Sequence, residues 1–307
     1  MGGHHLLFSK VKSFFEKEKV AGFVFIGPFI IGFLSFVVLP MIVSFGLSFT
    51  RYDILSAPKW IGVDNFIRMF TDDKLFWKSF KVTIYFSVVS VPLKLIMALG
   101  VAMLFKKTTR LSAVYRAVYY LPSIMGGSMA VAVLWKRLFA SDGPINHFMG
   151  LLGLPSDISW LGRVDTAIWT LIILSVWQFG SSMVIFLAGL KQIPVTLYEA
   201  AEVDGCRPVR QFFSITLPLL TPVLFFNIVQ QTINSFMAFT QSYVITDGAP
   251  RNSTLFYMVY MYRRSFKYYE MGYGSAIAWF MLIVVALLTA LIFKSSTKWV
   301  YRESEEN

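Results

Sequence analysis

The sequence has little charge and almost no cysteine. Only 15% of its 307 residues are charged, whereas a soluble domain usually carries roughly a quarter. The single cysteine, Cys206, excludes an intramolecular disulfide. The three histidines, His4, His5 and His147, have no metal-ligand spacing with it. These absences exclude a disulfide-stabilised fold and leave no candidate metal site.

Apolar residues are abundant instead: 56% of the chain is hydrophobic and 17% is aromatic. The charge-poor segments lie at 20–49, 82–105, 117–135, 167–188, 217–239 and 275–293. Each is long enough to cross the ~30 Å hydrocarbon core of a bilayer as a helix. The sequence therefore predicts an all-α membrane protein with six transmembrane helices in a domain at 20–295. An N-terminal segment at 1–19 and a tail at 296–307 flank this domain.

The distribution of basic residues gives a weak indication of orientation. Lys and Arg are nearly equal in number on the two sides of the predicted helices, so their total does not decide. The short loop at 106–116, however, contains Lys106, Lys107, Arg110 and Arg116 and no acid. Because the positive-inside rule weights short loops, this loop favours the cytoplasm. An even number of spans then places both termini on the cytoplasmic side.

The segment between the fourth and fifth spans has the pattern of a short helix, a turn and a second helix. Thr196 is expected to cap the first helix, with Glu199 at the capping-box position. Ala200 and Ala201 are small and would let another backbone come close. Gly205 is expected to end the helix with a positive φ.

This segment also carries a recognisable motif. Glu199-Ala-Ala, then Asp204-Gly and Ile215-Thr-Leu-Pro, resembles the EAA signature of permease subunits of bacterial ATP-binding-cassette (ABC) importers. Over residues 20–295 the sequence resembles the oligosaccharide subgroup of these permeases, which includes the maltose and glycerol-phosphate permeases. The further matching stretches are Trp60-Ile-Gly-Val-Asp-Asn-Phe, Tyr120-Leu-Pro-Ser, Phe186-Leu-Ala-Gly-Leu-Lys-Gln-Ile-Pro, Thr246-Asp-Gly-Ala-Pro and Gly272-Tyr-Gly-Ser-Ala. The sequence departs from the family at Cys206, where Ala is usual.

The resemblance implies a type I ABC importer permease fold, with both termini cytoplasmic and a peripheral first helix, in a bacterial cell membrane. It further implies that the loop at 189–216 docks on an ATPase through a coupling helix. The coupling residues would be Glu199, Ala200, Ala201, Asp204 and Gly205. The expected partners are a second, homologous permease, two ATPase subunits and an extracytoplasmic sugar-binding protein. ATP and Mg²⁺ would be bound by the ATPase subunits, so that this chain is not itself an enzyme and has no cofactor.

A polar stripe predicts where the substrate passes. Asn227, Gln230, Gln231 and Asn234 recur at helical spacing along one face of the fifth span. Amides that face lipid would be unsatisfied, so the stripe faces other helices or water. Hydrogen bonds to neighbouring helices are one explanation. Packing between helices seldom needs four amides on one face, so we favour the interpretation that the stripe faces the sugar.

Three more intramembrane residues are candidates for the pathway. Trp177 and Gln178 combine a ring and an amide, which suits a pyranose, although Trp in a span more often packs or anchors. Lys94 lies near the centre of the second span, where a charge costs ~2.5–3.5 kcal/mol and needs a partner or a water-filled cavity. Its counter-charge would come from a loop, the partner permease or the cargo. The last possibility suggests acidic, uronate-containing oligosaccharides.

Two other classes of protein remain as alternatives. An ion-coupled secondary transporter would normally carry acids inside its spans, and the six segments contain none. A membrane-embedded enzyme would need a catalytic cluster near the spans, and no group of His, Cys or acidic residues provides one. The chain also lacks the Gly-x-x-x-x-Gly-Lys-Ser/Thr phosphate loop, so ATP hydrolysis would belong to a partner. Co-purification of a nucleotide-binding partner would distinguish the importer from both alternatives.

Overall fold

The computed structural model describes residues 18–106 and 112–301. Most of the predicted N-terminal segment at 1–19 lies outside the described residues, with His4 and His5. Lys107 and Arg110 of the basic loop, and the end of the tail at 296–307, also lie outside the described residues. The described chain is helical apart from its connecting loops and one antiparallel ribbon, in which β1 (Thr50–Arg51) pairs with β2 (Lys59–Trp60).

The helices of the described chain follow one another with short connections. In order they are α1 (Glu18–Phe33), α2 (Leu39–Ser48), α3 (Asp64–Thr71), α4 (Lys74–Leu104), α5 (Ser112–Met125), α6 (Met129–Leu138), α7 (Pro144–Leu151), α8 (Val164–Trp177), α9 (Gly180–Gln192), α10 (Val195–Val203), α11 (Pro208–Gln211), α12 (Leu217–Phe236), α13 (Tyr257–Tyr262) and α14 (Met271–Ser296). Within the described residues, four π-helical turns lie at Leu34–Val38, Phe212–Thr216, Ser242–Thr246 and Arg263–Lys267.

Four helical segments of the described chain are long and apolar enough to cross a membrane: Phe25–Ser48, Lys74–Leu104, Pro208–Phe236 and Met271–Ser296. Two bent pairs, α5 with α6 and α8 with α9, raise the number to six if each pair is one span. The all-α membrane fold is therefore confirmed. The structure differs from the sequence prediction inside the third and fourth segments, since neither is a straight helix: the two bends are 99° and 41°.

The sharper bend has a local cause in the sequence. Gly126 and Gly127 separate α5 from α6, and glycine is a poor helix former. Ser128 then starts the new helix, because its Oγ accepts a hydrogen bond from the Val131 N–H at 3.3 Å. A polar N-cap after two glycines ends one helix and begins another within an otherwise apolar run.

Prolines explain two of the π turns. Leu39-Pro40 and Leu217-Pro218 each follow such a turn directly, and each leucine N–H donates to the carbonyl five residues earlier. Proline has no N–H and collides with the carbonyl four residues before it. One extra residue in the turn relieves this conflict, so the helix continues past the proline. The fifth span therefore begins at Pro208, well before its predicted start at 217.

Helix α4 is the centre of the bundle. It packs against α8, α9, α12 and α13. Near its N-terminal end lies a buried cluster that includes Phe76, Phe86 and Tyr257. Nearer its C-terminal end lies a second cluster that includes Ala98 and Phe186. The first span, in contrast, packs on α14 through α2, and its apolar window has no buried residue.

A buried carboxylate fixes the N-terminal end of α4. Asp73 accepts hydrogen bonds from the hydroxyl groups of Tyr260 and Tyr273, the latter at 2.6 Å, and from the Phe76 N–H at 3.0 Å. Burial raises the pKa of the Asp73 carboxyl. The three hydrogen bonds and the positive charge of Arg264 outweigh burial, and the pKa lies below its usual value.

The same carboxylate belongs to a chain of ion pairs. Arg264 lies 3.5 Å from Asp73 and 3.0 Å from Glu270, and Glu270 also pairs with Arg68 at 2.9 Å. These residues come from α3, from the residue that precedes α4, from the turn after α13 and from the residue that precedes α14. The network therefore joins the second span, the sixth span and the loops between spans at one end of the bundle.

Replacing Asp73 by Asn is expected to destabilise this end. The change removes the charge that pairs with Arg264 and leaves buried tyrosine hydroxyls with a poorer acceptor. We expect a loss of about 2–4 kcal/mol in the free energy of unfolding, measured by denaturant unfolding in detergent micelles. Asp72→Asn is the matched control, because the neighbouring Asp72 is exposed. Equal stability of the two variants would contradict the role of the network.

The same group predicts a dependence of stability on pH. Because the pKa of Asp73 is lower in the folded protein than in the unfolded one, its contribution is complete above the unfolded-state pKa of about 3.9. The contribution is lost as the pH falls through the lower pKa of the folded state. Asp73→Asn should therefore flatten the acid limb of the curve of unfolding free energy against pH.

Candidate functional site

A polar cavity of about 280 Å³ lies where the two helix bends face α4 and α12. Four of the predicted pathway residues line it: Lys94, Gln178, Gln231 and Asn234. The other polar residues of the lining are Ser123, Ser175, Ser181, Ser235, Thr240 and Gln241. The cavity is thus rich in amides and hydroxyl groups, and its size is near the lower end of the range for small-molecule sites.

The bends hold one another together and position Gln178. The Gln178 side-chain amide donates to the carbonyl of Gly126 at 2.9 Å, and Ser123 Oγ donates to the Gln178 carbonyl at 2.9 Å. The Ser181 N–H donates to the same serine oxygen at 3.0 Å. Gly180 permits the close approach, since an added Cβ would lie 2.3 Å from the carbonyl oxygen of Tyr119. Each bend therefore satisfies the exposed backbone groups of the other.

The opposite wall of the cavity is held by side-chain pairs. Gln231 Nε2 donates to Ser182 Oγ at 3.0 Å, which joins α12 to α9. Gln241 Nε2 donates to Gln178 Oε1 at 3.3 Å. The Gln241 Oε1 atom is buried and has no hydrogen-bond partner within the described residues. A buried amide oxygen beside a cavity is a ready acceptor for a hydroxyl group of a ligand.

Lys94 is the charged residue of this lining. Its side chain is partly buried, and within residues 18–106 and 112–301 it makes neither an ion pair nor a hydrogen bond. The cavity wall contains no acidic residue among those described. The predicted counter-charge is therefore not supplied by a described loop of this chain, and the cavity has a net positive charge.

The structure divides the predicted stripe of amides. Gln231 and Asn234 line the cavity, whereas Asn227 is fully buried elsewhere and its Nδ2 donates to the Val223 carbonyl at 3.0 Å. Gln230 is exposed on the surface of α12. Trp177 is also outside the lining and packs on Trp135, with ring centroids 5.7 Å apart. The cavity thus brings together Gln231 and Asn234 but not Asn227, Gln230 or Trp177. The pathway roles of all five residues stay predictions.

The predicted coupling segment folds as a helix, a turn and a helix, formed by α10, residues 204–207 and α11. The expected Thr196 cap is wrong: α10 begins at Val195 after Pro194, without a side-chain cap, so Thr196 lies inside the first turn. Gly205 has the expected positive φ, at +70°. Its N–H donates to the Glu202 carbonyl at 3.0 Å, and the next N–H, of Cys206, donates to Ala201 at 2.8 Å. This pair of bonds is a Schellman motif, which needs the left-handed residue.

Helix α10 presents most of its surface outward. None of its residues is buried, and Glu199, Ala200 and Asp204 at its C-terminal end are exposed. Tyr198 ties it to the bundle: its hydroxyl group lies 2.9 Å from that of Thr216, and Lys106 Nζ lies 3.5 Å from the centroid of its ring. Thr216 belongs to the π turn at the start of the fifth span, so α10 is joined directly to the helix that carries Gln231 and Asn234.

A multi-pass helical bundle with a central polar cavity and an exposed helix between its fourth and fifth spans defines a membrane permease. The chain belongs to the family "binding-protein-dependent transport system inner membrane component", which matches residues 90–302. The predictions of an ABC transporter permease, of a transport subunit rather than an enzyme, and of a multi-pass protein in the cytoplasmic membrane are confirmed.

Individual relatives agree with this family. The chain is 52% identical to the probable ABC transporter permease protein YesP of Bacillus subtilis (strain 168), over 95% of each chain. It is 33% identical to the trehalose/maltose transport system permease protein MalF of Thermococcus litoralis, over 94% of this chain and 96% of the relative. A chain of a bacterial alginate ABC transporter, solved in complex with alginate pentasaccharide-bound periplasmic protein, has the same fold. Its TM-score is 0.78 at 21% identity, covering 91% of this chain and 95% of the other.

The close contact between the bends predicts the effect of one added methyl group. Gly180→Ala would push α9 away from the backbone of α5, and we expect it to lower the free energy of unfolding by about 1–3 kcal/mol. Gly100→Ala in α4 is the control, because an added Cβ there has no atom within 4 Å. Unfolding of both variants in micelles provides the measurement. Equal stability would mean that the bends are not packed as described.

Proposed function

We propose that this chain is the permease subunit through which an acidic, uronate-containing oligosaccharide enters the cytoplasm. The observation that carries the proposal is Lys94, a cation without a partner among the described residues, in a cavity lined by amides and hydroxyl groups. An intramembrane charge needs a partner, and the carboxylate of a passing sugar acid would serve. Sugar hydroxyl groups would exchange hydrogen bonds with Gln178, Gln231 and Asn234.

The names of related proteins support a saccharide as cargo. They include the starch degradation products permease AmyD of Thermoanaerobacterium thermosulfurigenes, at 30% identity, and the arabinooligosaccharides permease AraP of Bacillus subtilis, at 28%. A solved transporter with the same fold imports the acidic polysaccharide alginate. The acidic class fits the charge of this cavity better than a neutral sugar does.

The proposed energy source is a pair of separate ATPase subunits that bind ATP and Mg²⁺. They would dock on the exposed end of α10 through Glu199, Ala200, Ala201, Asp204 and Gly205, with this end and both termini in the cytoplasm. A homologous second permease would complete the pathway, and an extracytoplasmic binding protein would deliver the sugar. ATP binding then needs only to bias the bundle between its outward-open and inward-open states.

The coupling role predicts a loss of sugar-stimulated ATP hydrolysis in two variants. Glu199→Lys reverses the charge of the docking surface, and Gly205→Val strains the positive φ that turns the chain. We expect each to lower the stimulated ATPase rate of the reconstituted complex by about tenfold or more. Asp157→Lys, an exposed charge reversal in the loop between α7 and α8, is the control and should retain activity. Full activity of the two α10 variants would identify the loop as a connector.

The acidic cargo predicts a selective effect at Lys94. Replacing Lys94 by Gln removes a charge-assisted hydrogen bond worth ~1.5–3 kcal/mol, so uptake of an oligogalacturonate should fall by about tenfold or more. Uptake of a neutral maltooligosaccharide of equal length, where detectable, should change little. Lys81→Gln is the control, since Lys81 is on the same helix, exposed and outside the cavity. Unchanged uptake of the acidic probe by Lys94→Gln would refute the acidic substrate class.

A further inference from the structure

A second polar cavity, of about 370 Å³, lies in the segment between the fifth and sixth spans. This segment is at the other end of α12 from the proposed coupling helix. The cavity is lined by the basic residues Arg263 and Lys267 and by aromatic rings that include Tyr243, Tyr262 and Phe266. Aromatic faces together with cations have the chemistry that an anionic saccharide requires.

Four contacting aromatic rings, those of Phe239, Tyr243, Tyr262 and Phe266, connect this cavity to the central one and are called the ring ladder below. Phe239 lines the central cavity and stacks on Tyr243, with centroids 5.0 Å apart and planes 18° apart. Tyr243 contacts Tyr262 at 5.4 Å, and Tyr262 contacts Phe266 at 5.3 Å. The first ring belongs to the central cavity and the other three to the outer one. Phe239 also contacts Tyr262 directly, at 5.3 Å. The two cavities are therefore joined by a continuous group of contacting aromatic side chains.

The charge of the outer cavity is positive. Among the described residues its lining has one carboxylate, that of Asp247, which accepts a hydrogen bond from Arg263 Nη2 at 2.7 Å. The backbone carbonyl of Asp247 accepts a second one at 2.6 Å. Arg263 Nε is buried without a hydrogen-bond partner in the described chain, and Lys267 is exposed and makes no ion pair there. Asp247 thus holds the guanidinium in place, and the exposed ammonium group of Lys267 stays available.

We propose that the outer cavity is a second subsite for the anionic oligosaccharide, and that the ring ladder holds the sugar chain between this subsite and Lys94. The inference rests on the proposed function and adds a selection for length. A short acidic sugar occupies one cavity, whereas a longer one contacts both and binds more tightly. The concave shape favours a small saccharide over the surface of a docked protein.

The test compares the binding of a digalacturonate and a longer oligogalacturonate by the complete transporter complex in nanodiscs, without binding protein. Lys267→Gln removes the exposed charge without disturbing a described contact, and Tyr262→Leu interrupts the ladder. We expect each to weaken binding of the longer probe by about threefold to tenfold and to leave that of the dimer nearly unchanged. Lys94→Gln should weaken both. Lys136→Gln, an exposed cation of α6 outside both cavities, is the control.

Three results would overturn the subsite, and they separate it from the proposed function. If only Lys94→Gln weakens binding, the central site holds and the outer subsite is refuted. If Lys267→Gln and Tyr262→Leu weaken docking of the binding protein but retain saccharide affinity, the cavity is a protein-docking surface. If the wild-type complex binds neither probe, the acidic substrate class fails and the subsite fails with it.

Discussion

The hydrocarbon core of a bilayer offers no hydrogen-bond partner to the protein backbone, and this constraint governs where the bundle is able to bend. Each bend frees backbone groups, so it must face protein or a water-filled cavity. Here the two bends face each other: Gln178 donates to the carbonyl of Gly126, and Ser123 donates to the carbonyl of Gln178. The polar cavity follows from this arrangement, since the groups that satisfy the bends also form its wall. The same constraint explains the π turns, which carry helices past Pro40 and Pro218 without a break.

The charged groups at the end of α4 and in its middle have different surroundings. At the N-terminal end of α4, Asp73 is paired with two tyrosines and Arg264, which joins loops and spans. At mid-height, Lys94 on the same helix has no partner among the described residues. A paired charge stabilises the fold, whereas an unpaired charge in a cavity is available to a ligand.

On the proposed function, α12 would transmit movement of α10 to the cavity, because Tyr198 meets Thr216 at one end and Gln231 lies further along the helix.

Parts of the site could be predicted because they depend on local chemistry. Gly205 was predictable as a left-handed helix end, since a side chain strains that conformation. The importance of Lys94 was also predictable, because a charge in an apolar run is costly wherever it lies. Helical periodicity placed Asn227 and Gln230 on the same face as Gln231, but only neighbouring helices decide which part of a face meets the cavity. The Thr196 cap failed because the helix starts directly after Pro194, so that Pro194 is the N-cap residue, two residues earlier than the capping pattern indicated.

The sequence by itself determined the membrane class, the approximate spans, the family motif and the absence of a nucleotide-binding loop. These properties are set by composition and short-range pattern, since a bilayer requires long apolar runs and a motif is a local string. The tertiary structure decided where the helices bend, which amides share a cavity, that Lys94 has no described partner, and that the rings from Phe239 to Phe266 form one connected group. Those properties depend on side chains far apart in the sequence, and only helix packing brings them within contact distance.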